Sequence, residues 1–120
     1  VSQFTTPADL RLLEDETWEL IRAFEFHVGA FPSEDVIHVP AGFVTDLASI
    51  PRPFWPIFPP HGRYAKAAIV HDYLYAYGMF SRKYADDVLF EGMSVLGVPA
   101  WRKYIIYSAV RMFGGNFYNG

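Results

Sequence analysis

From Thr17 to Val28 apolar and polar positions alternate. Trp18, Leu20, Phe24, Phe26 and Val28 fall on one side and Glu19, Glu25 and His27 on the other, with Arg22 out of step. Period two over this length predicts a β-strand with one face on a core. Leu10 to Leu13 predicts a short partner strand, turned through Glu14-Asp15-Glu16. Residues 29–35 are a loop by their Gly, Pro and Ser content. Val36-Ile37-His38-Val39 is a second strand, ended by Pro40-Ala41-Gly42, and Phe43-Val44-Thr45 a short third one. Residues 51–60 hold five prolines, which exclude a central strand or a helix interior. Phe54, Trp55 and Phe58 between them exclude a solvated linker, so an extended segment laid over the core is expected. The alternative is a proline-rich ligand for another module.

Near residue 60 the period changes from strand to helix. The first helix is expected over about Tyr64 to Tyr77, stopped at Gly78. The second starts from Ser81, a good N-cap, and runs to about Leu96, before Gly97. The third starts with Pro99 near its first turn and ends before Gly114-Gly115. Its expected face is Trp101, Tyr104, Ile105, Ser108, Ala109 and Met112. The pattern predicts an α+β fold: a short antiparallel sheet in a strand-and-turn half, 1–60, then three helices in 61–120, all in one domain.

Length and composition fit this picture. The 120 residues suit one core, and 52% hydrophobic with 18% aromatic content excludes a disordered chain. There is no Cys, so a disulfide framework and a thiolate metal site are both excluded. A net charge of −3 argues against a nucleic-acid partner, which usually meets a basic face. No stretch approaches the ~18 apolar residues of a membrane span, and no signal peptide is visible at the N-terminus.

Candidate chemistry centres on His71-Asp72, set in the apolar run Ala67-Ala68-Ile69-Val70-His71-Asp72-Tyr73-Leu74-Tyr75. Helical spacing puts Ala67, Ala68, His71, Leu74 and Tyr75 on one face, with Asp72 on its flank. In the second helix Ala85, Val88, Leu89, Gly92 and Leu96 form the apolar stripe. Asp87 shares a face with Lys83, Glu91 and Ser94 and reads as solvent; Asp86, with Arg82, Phe90 and Met93, reads as boundary. The small residues Ala67, Ala68, Ala85 and Gly92 would let the two helices approach closely.

On the functional reading His71 takes a proton from water, because its pKa lies nearest neutrality. Asp86 orients the ring. Asp72 and Asp46, the latter in a turn just after a strand, offer hard oxygen ligands suited to Ca²⁺ or Mg²⁺; adding His71 would admit Zn²⁺. On the structural reading the same groups satisfy one another in a polar core. Arg82 and Asp86 are then an i,i+4 pair worth about 0.3–0.5 kcal/mol, and Asp46 caps a turn. His27, His38 and His61 are expected on strand surfaces or loops. Ser49 lacks the Gly-x-Ser-x-Gly surroundings of a nucleophile elbow.

Three motifs carry a resemblance: Phe43-Val44-Thr45-Asp46-Leu47-Ala48-Ser49-Ile50-Pro51, then Tyr64 with Ala67-Ala68 and His71-Asp72-Tyr73-Leu74-Tyr75, then Arg82 with Ala85-Asp86 and Phe90. Together they resemble a family of small phage and prophage proteins known only as a domain of unknown function. The resemblance spans about residues 40–115. It implies a bacteriophage or prophage origin and a tail, baseplate or lysis-region setting. A second resemblance is to phospholipase A2, especially the disulfide-free type of parvovirus capsids. His71, Asp72 and Tyr75 match its His-Asp-x-x-Tyr helix, and Ala85, Asp86 and Phe90 its second helix. It implies His71 as the base, Asp72 as a Ca²⁺ ligand and Asp86 as the partner of His71. Where that family has a glycine-rich calcium loop, this chain offers Pro59-Pro60-His61-Gly62. Residues 67–72 are also similar to the central helix of the His…His-Asp…Asp metal phosphohydrolases, whose further helical His has no counterpart here.

The expectation is therefore a phage-encoded hydrolase with catalytic His71 and Asp86, a metal site at Asp46 and Asp72, and a host-envelope substrate, either lipid or cell wall. The alternative is a non-enzymatic virion, tail or baseplate assembly protein in which these residues fix the fold and other virion proteins are the partners. The expected location is the virion or the host-cell cytoplasm.

Overall fold

The computed structural model describes residues 3–4, 10–13, 17–28, 36–45, 65–78, 80–113 and 115. Asp46, Ser49, His61, the loop 29–35, the turn 14–16 and the proline-rich stretch 51–60 lie outside the described residues.

The fold is α+β. Among the described residues six strands are followed by three helices: β1 (Gln3–Phe4), β2 (Leu10–Leu12), β3 (Trp18–Leu20), β4 (Phe24–His27), β5 (Val36–Val39), β6 (Val44–Thr45), α1 (Ala65–Tyr77), α2 (Arg82–Val95) and α3 (Ala100–Phe113). These strands form two three-stranded sheets, ordered β1-β4-β5 and β2-β3-β6. Their pairings are antiparallel. The single strand expected over 17–28 is in fact two. The chain leaves one sheet after Leu20 and enters the other at Phe24. Arg22, the residue out of step, lies in this break and is exposed.

The return crossing from β5 to β6 lies beside it. Leu20 N–H donates to Phe43 O at 2.8 Å, and Gly42 N–H donates to Leu20 O at 2.7 Å. Gly42 has φ +89°, a conformation that a Cβ disfavours. The inward face holds as expected for Leu20, Phe24 and Phe26, which are buried. His27 departs from it: it is buried rather than on a strand surface, with Nε2 3.4 Å from Glu25 Oε1. His38 is exposed, as expected.

α1 is the central helix. Ala67 to Val70 are buried without interruption, as are His71, Leu74 and Tyr75. It packs on α2 and against β5 and β6. A helix covered on nearly all sides needs no polar face, which explains the apolar run in its sequence. A Cβ on Gly92 of α2 would stand 3.1 Å from Ala67 Cβ, so the small residues do bring these helices close. Ser81 caps α2, its hydroxyl accepting from Tyr84 N–H at 3.1 Å.

α3 buries a face shifted round from the one expected, with Ala109 common to both. Ile106, Ala109 and Val110 are buried, while Trp101, Tyr104, Ile105 and Met112 are exposed. Both stripes are apolar, so hydrophobicity alone does not choose between them. The partner helix α2 does.

Candidate functional site

Three helices meet at Asp86. On α1, His71 and Tyr75 lie one turn apart, and their ring centroids are 4.2 Å from each other. His71 Nε2 is 2.7 Å from Asp86 Oδ1, and the Tyr75 hydroxyl donates to the same oxygen. On α3, Arg111 donates to Asp86 Oδ2 at 2.8 Å. Arg82, one turn before Asp86, holds its Nε 4.0 Å from Oδ2 and donates to the Tyr75 hydroxyl at 3.3 Å.

Arg82 also binds α3 directly. Its guanidinium donates to the carbonyls of Val110 and Arg111, each at 2.6 Å. Those carbonyls lie in the last turn of α3, where backbone acceptors lack intrahelical donors and the helix dipole favours a cation.

His71 and Asp86 are both fully buried. This corrects the boundary position expected for Asp86. A carboxylate is buried at a cost that only paired donors offset, and here Asp86 receives donors from His71, Tyr75 and Arg111. Burial alone would raise its pKa. Hydrogen bonds from His71, Tyr75 and Arg111 outweigh that and hold it below the usual carboxylate value. Burial lowers the pKa of His71, and the hydrogen bond to Asp86 only partly opposes this. The Tyr75 hydroxyl is pushed up by burial and by its bond to Asp86, so it stays protonated. The resulting state is a neutral imidazole that donates Nε2–H to an ionised carboxylate neutralised by arginine. In that tautomer Nδ1 is the atom at which the ring takes up a proton.

A pH dependence follows. A histidine whose pKa is lowered by folding binds its proton more readily in the unfolded chain. Its stabilising contribution is intact above its usual value of 6.5 and is lost as pH falls below that. The melting temperature should therefore fall between pH 7.5 and pH 5.5, and the His71→Gln variant should show a flatter profile. Equal slopes in the two proteins would refute the assignment. Asp86 acts in a separate window, stabilising above its usual 3.8 and losing that contribution only in more acid solution.

Asp72 is half-buried on the flank of α1 and accepts from the Thr45 hydroxyl at the end of β6. Asp46 follows Thr45 directly in the chain but is outside the described residues. Among the described residues, no group of three or more His, Cys, Asp or Glu converges to hold a metal ion. The structure thus joins His71 to Asp86 and leaves Asp72 turned to a strand.

Sequence reasoning missed Arg111 altogether, because nothing local marks it. Tyr75 was detectable from its place one turn after His71.

A family model described as a protein of unknown function (DUF1353) matches residues 18–110. Over 78 residues the chain is 37% identical to the uncharacterized protein y4jT of Sinorhizobium fredii. That match takes in 63% of this chain and 23% of the relative, so the chain spans about a quarter of the relative's length. No solved structure matches the chain significantly. No helix among the described residues is long and apolar enough to cross a membrane.

Proposed function

We propose that this chain, which belongs to the DUF1353 family of proteins of unknown function, is a phage- or prophage-derived hydrolase acting on an ester of a host-envelope lipid. The observation that supports this most is that Asp86 Oδ1 takes both His71 Nε2 and the hydroxyl of Tyr75, one turn on. That is the partnership implied by the resemblance to phospholipase A2. It fixes the imidazole so that Nδ1 acts as the general base.

The step balances with water and the ester alone. Nδ1 takes a proton from water, and the water oxygen attacks the ester carbonyl. The tetrahedral species collapses with loss of the alkoxide, which receives the proton from Nδ1. The products are a carboxylic acid and an alcohol. Arg111 keeps Asp86 ionised throughout, so the carboxylate stabilises the imidazolium that forms. Since His71 is fully buried, productive binding has to uncover Nδ1. A divalent cation held by Asp46 and Asp72 would polarise the ester carbonyl.

The second reading is a non-enzymatic virion or tail-assembly protein, with virion proteins as its partners. Its support is the complete burial of His71 and Asp86. The location, virion or host cytoplasm, goes with whichever reading holds.

The test is release of fatty acid from phospholipid mixed micelles, with CaCl₂, ZnCl₂ or EDTA, by the parent chain and by His71→Asn. The hydrolytic reading expects turnover in the parent and a loss of at least about a hundredfold in the variant. Asp86 keeps Tyr75 and Arg111 as donors in that variant, so its fold should persist. Absent turnover under all three conditions, with the chain folded, would leave the assembly reading. Turnover on cell-wall fragments alone would move the substrate class.

A further inference from the structure

On the outer side of α3, Trp101, Ile105, Ser108 and Met112 are all exposed and follow one another at intervals of four, three and four. That spacing draws one straight seam along the helix, about 21 Å long at 1.5 Å per residue. Tyr104 lies beside it, and a shallow groove of about 370 Å³ runs between Tyr104, Ile105, Ser108, Ala109, Met112 and Phe113. The two ends of the seam are large side chains, Trp101 at 56% and Met112 at 73% exposure. A contiguous apolar face of this kind marks a contact surface, unlike apolar residues scattered singly.

The charge on α3 decides what that surface meets. The helix carries Arg102, Lys103 and Arg111 and no Asp or Glu, in a chain whose net charge is −3. Arg111 is taken up by Asp86. The other two have no acidic partner among the described residues. The Arg102 guanidinium lies 5.1 Å from the Trp101 ring centroid, folded onto the seam. Lys103 turns to α2, where Nζ donates to the Ser94 hydroxyl over the Phe90 ring, both of them neutral groups. Asp87 and Glu91 of α2 share a cleft with Tyr104, but both have partners of their own. A second copy of the chain brings no acid on this helix to answer Arg102. An anionic lipid surface does, and the rest of the face suits it: Trp and Tyr settle at headgroup level, while aliphatic groups enter the acyl boundary.

We propose that α3 lays this seam on the surface of an anionic phospholipid bilayer. Ile105 and Met112 reach the acyl boundary, Trp101 and Tyr104 sit among the headgroups, and Arg102 meets lipid phosphate. Lys103 adds attraction through solution, within the Debye length of about 8–10 Å. Adsorption requires no turnover, so the proposal goes beyond the hydrolytic reading.

The test is co-sedimentation of the chain with vesicles of ether-linked lipids, which have no ester to cleave. One set is phosphatidylcholine alone and the other an equal mixture with phosphatidylglycerol. Binding to the anionic set is expected to be at least about tenfold stronger and to fall steeply in about 0.5 M NaCl. Trp101→Ser with Met112→Ser should weaken it by roughly tenfold or more, and Arg102→Gln should narrow the gap between the two vesicle sets. Ile21→Ser, a change at an exposed apolar residue outside α3, should leave binding as it was. Absent binding, equal binding to both sets, or binding unchanged by the double substitution would overturn the proposal. So would a dimer in sedimentation that the double substitution dissociates, which would give the face to a second copy. Adsorption without fatty-acid release from ester lipids would sink only the hydrolytic reading, and release without adsorption only this one.

Discussion

Replacing Asp86 by alanine is expected to destabilise the protein by about 2–5 kcal/mol, since each buried donor left without its acceptor costs about 1–3 kcal/mol. The substitution strands three donors at once: His71 Nε2–H, the Tyr75 hydroxyl and the Arg111 guanidinium. His71 and Tyr75 matter most, because both are fully buried, whereas the Arg111 side chain is about a third exposed and can turn to water. Asp86→Asn separates shape from charge. Its carbonyl oxygen still accepts from His71 and Tyr75, but its amide meets Arg111 donor to donor. It should therefore fall between parent and alanine. Urea denaturation of the three proteins measures this. A loss under about 1 kcal/mol for Asp86→Ala, the range of an exposed pair, would contradict the buried network.

Phe26→Ala is the second large effect, and it acts through packing alone. Phe26 is fully buried in β4, the middle strand of its sheet. Its ring stacks on Phe4 at 4.5 Å, and its backbone is in register with both Phe4 and Ile37. Truncation removes apolar contacts and leaves a cavity between two strands that hydrogen bonds hold in place. Such changes cost about 3–5 kcal/mol, a large share of the roughly 5–15 kcal/mol that stabilises a domain. Ile21→Ala is the matched control, since Ile21 lies in the break between β3 and β4 and is half exposed. It should change stability by no more than about 0.5 kcal/mol. Comparable losses for the two variants in thermal melts would mean that Phe26 is not part of a tightly packed core.

The helices were the most legible part of this chain. Ser81 caps α2 where expected, and Gly78 and Gly97 take positive φ just beyond helix ends. Each is a local signal with a local cause. The small-residue contact of Gly92 with Ala67 could also be anticipated, because helical spacing fixes which residues face one another. The pairing of β2 with β3 followed from short range.

What escaped detection depends on partners distant in the chain. The break at Ile21–Ala23 marks the alternation only through Arg22, because apolar residues continue in phase on either side. Asp86 and Asp87 are adjacent acids on one helix, yet one is fully buried and the other exposed. Spacing on α2 set Asp86 apart from Asp87, but its full burial, beyond the boundary place expected, rests on His71 and Tyr75 of α1 and Arg111 of α3. The inner face of α3 was misassigned for a related reason: both candidate stripes are apolar, and only docking on α2 selects one. His71 meeting Asp86 could be inferred from sequence, whereas the turn of Asp72 toward Thr45 could not.

The segment Trp18–His27 gives one strand to each sheet, with three residues between them. Neither sheet can peel away on its own without dragging the other's strand through that short bridge. The β-layer should therefore behave as one cooperative unit rather than as two foldons, and its weakest rung sets the opening energy for both.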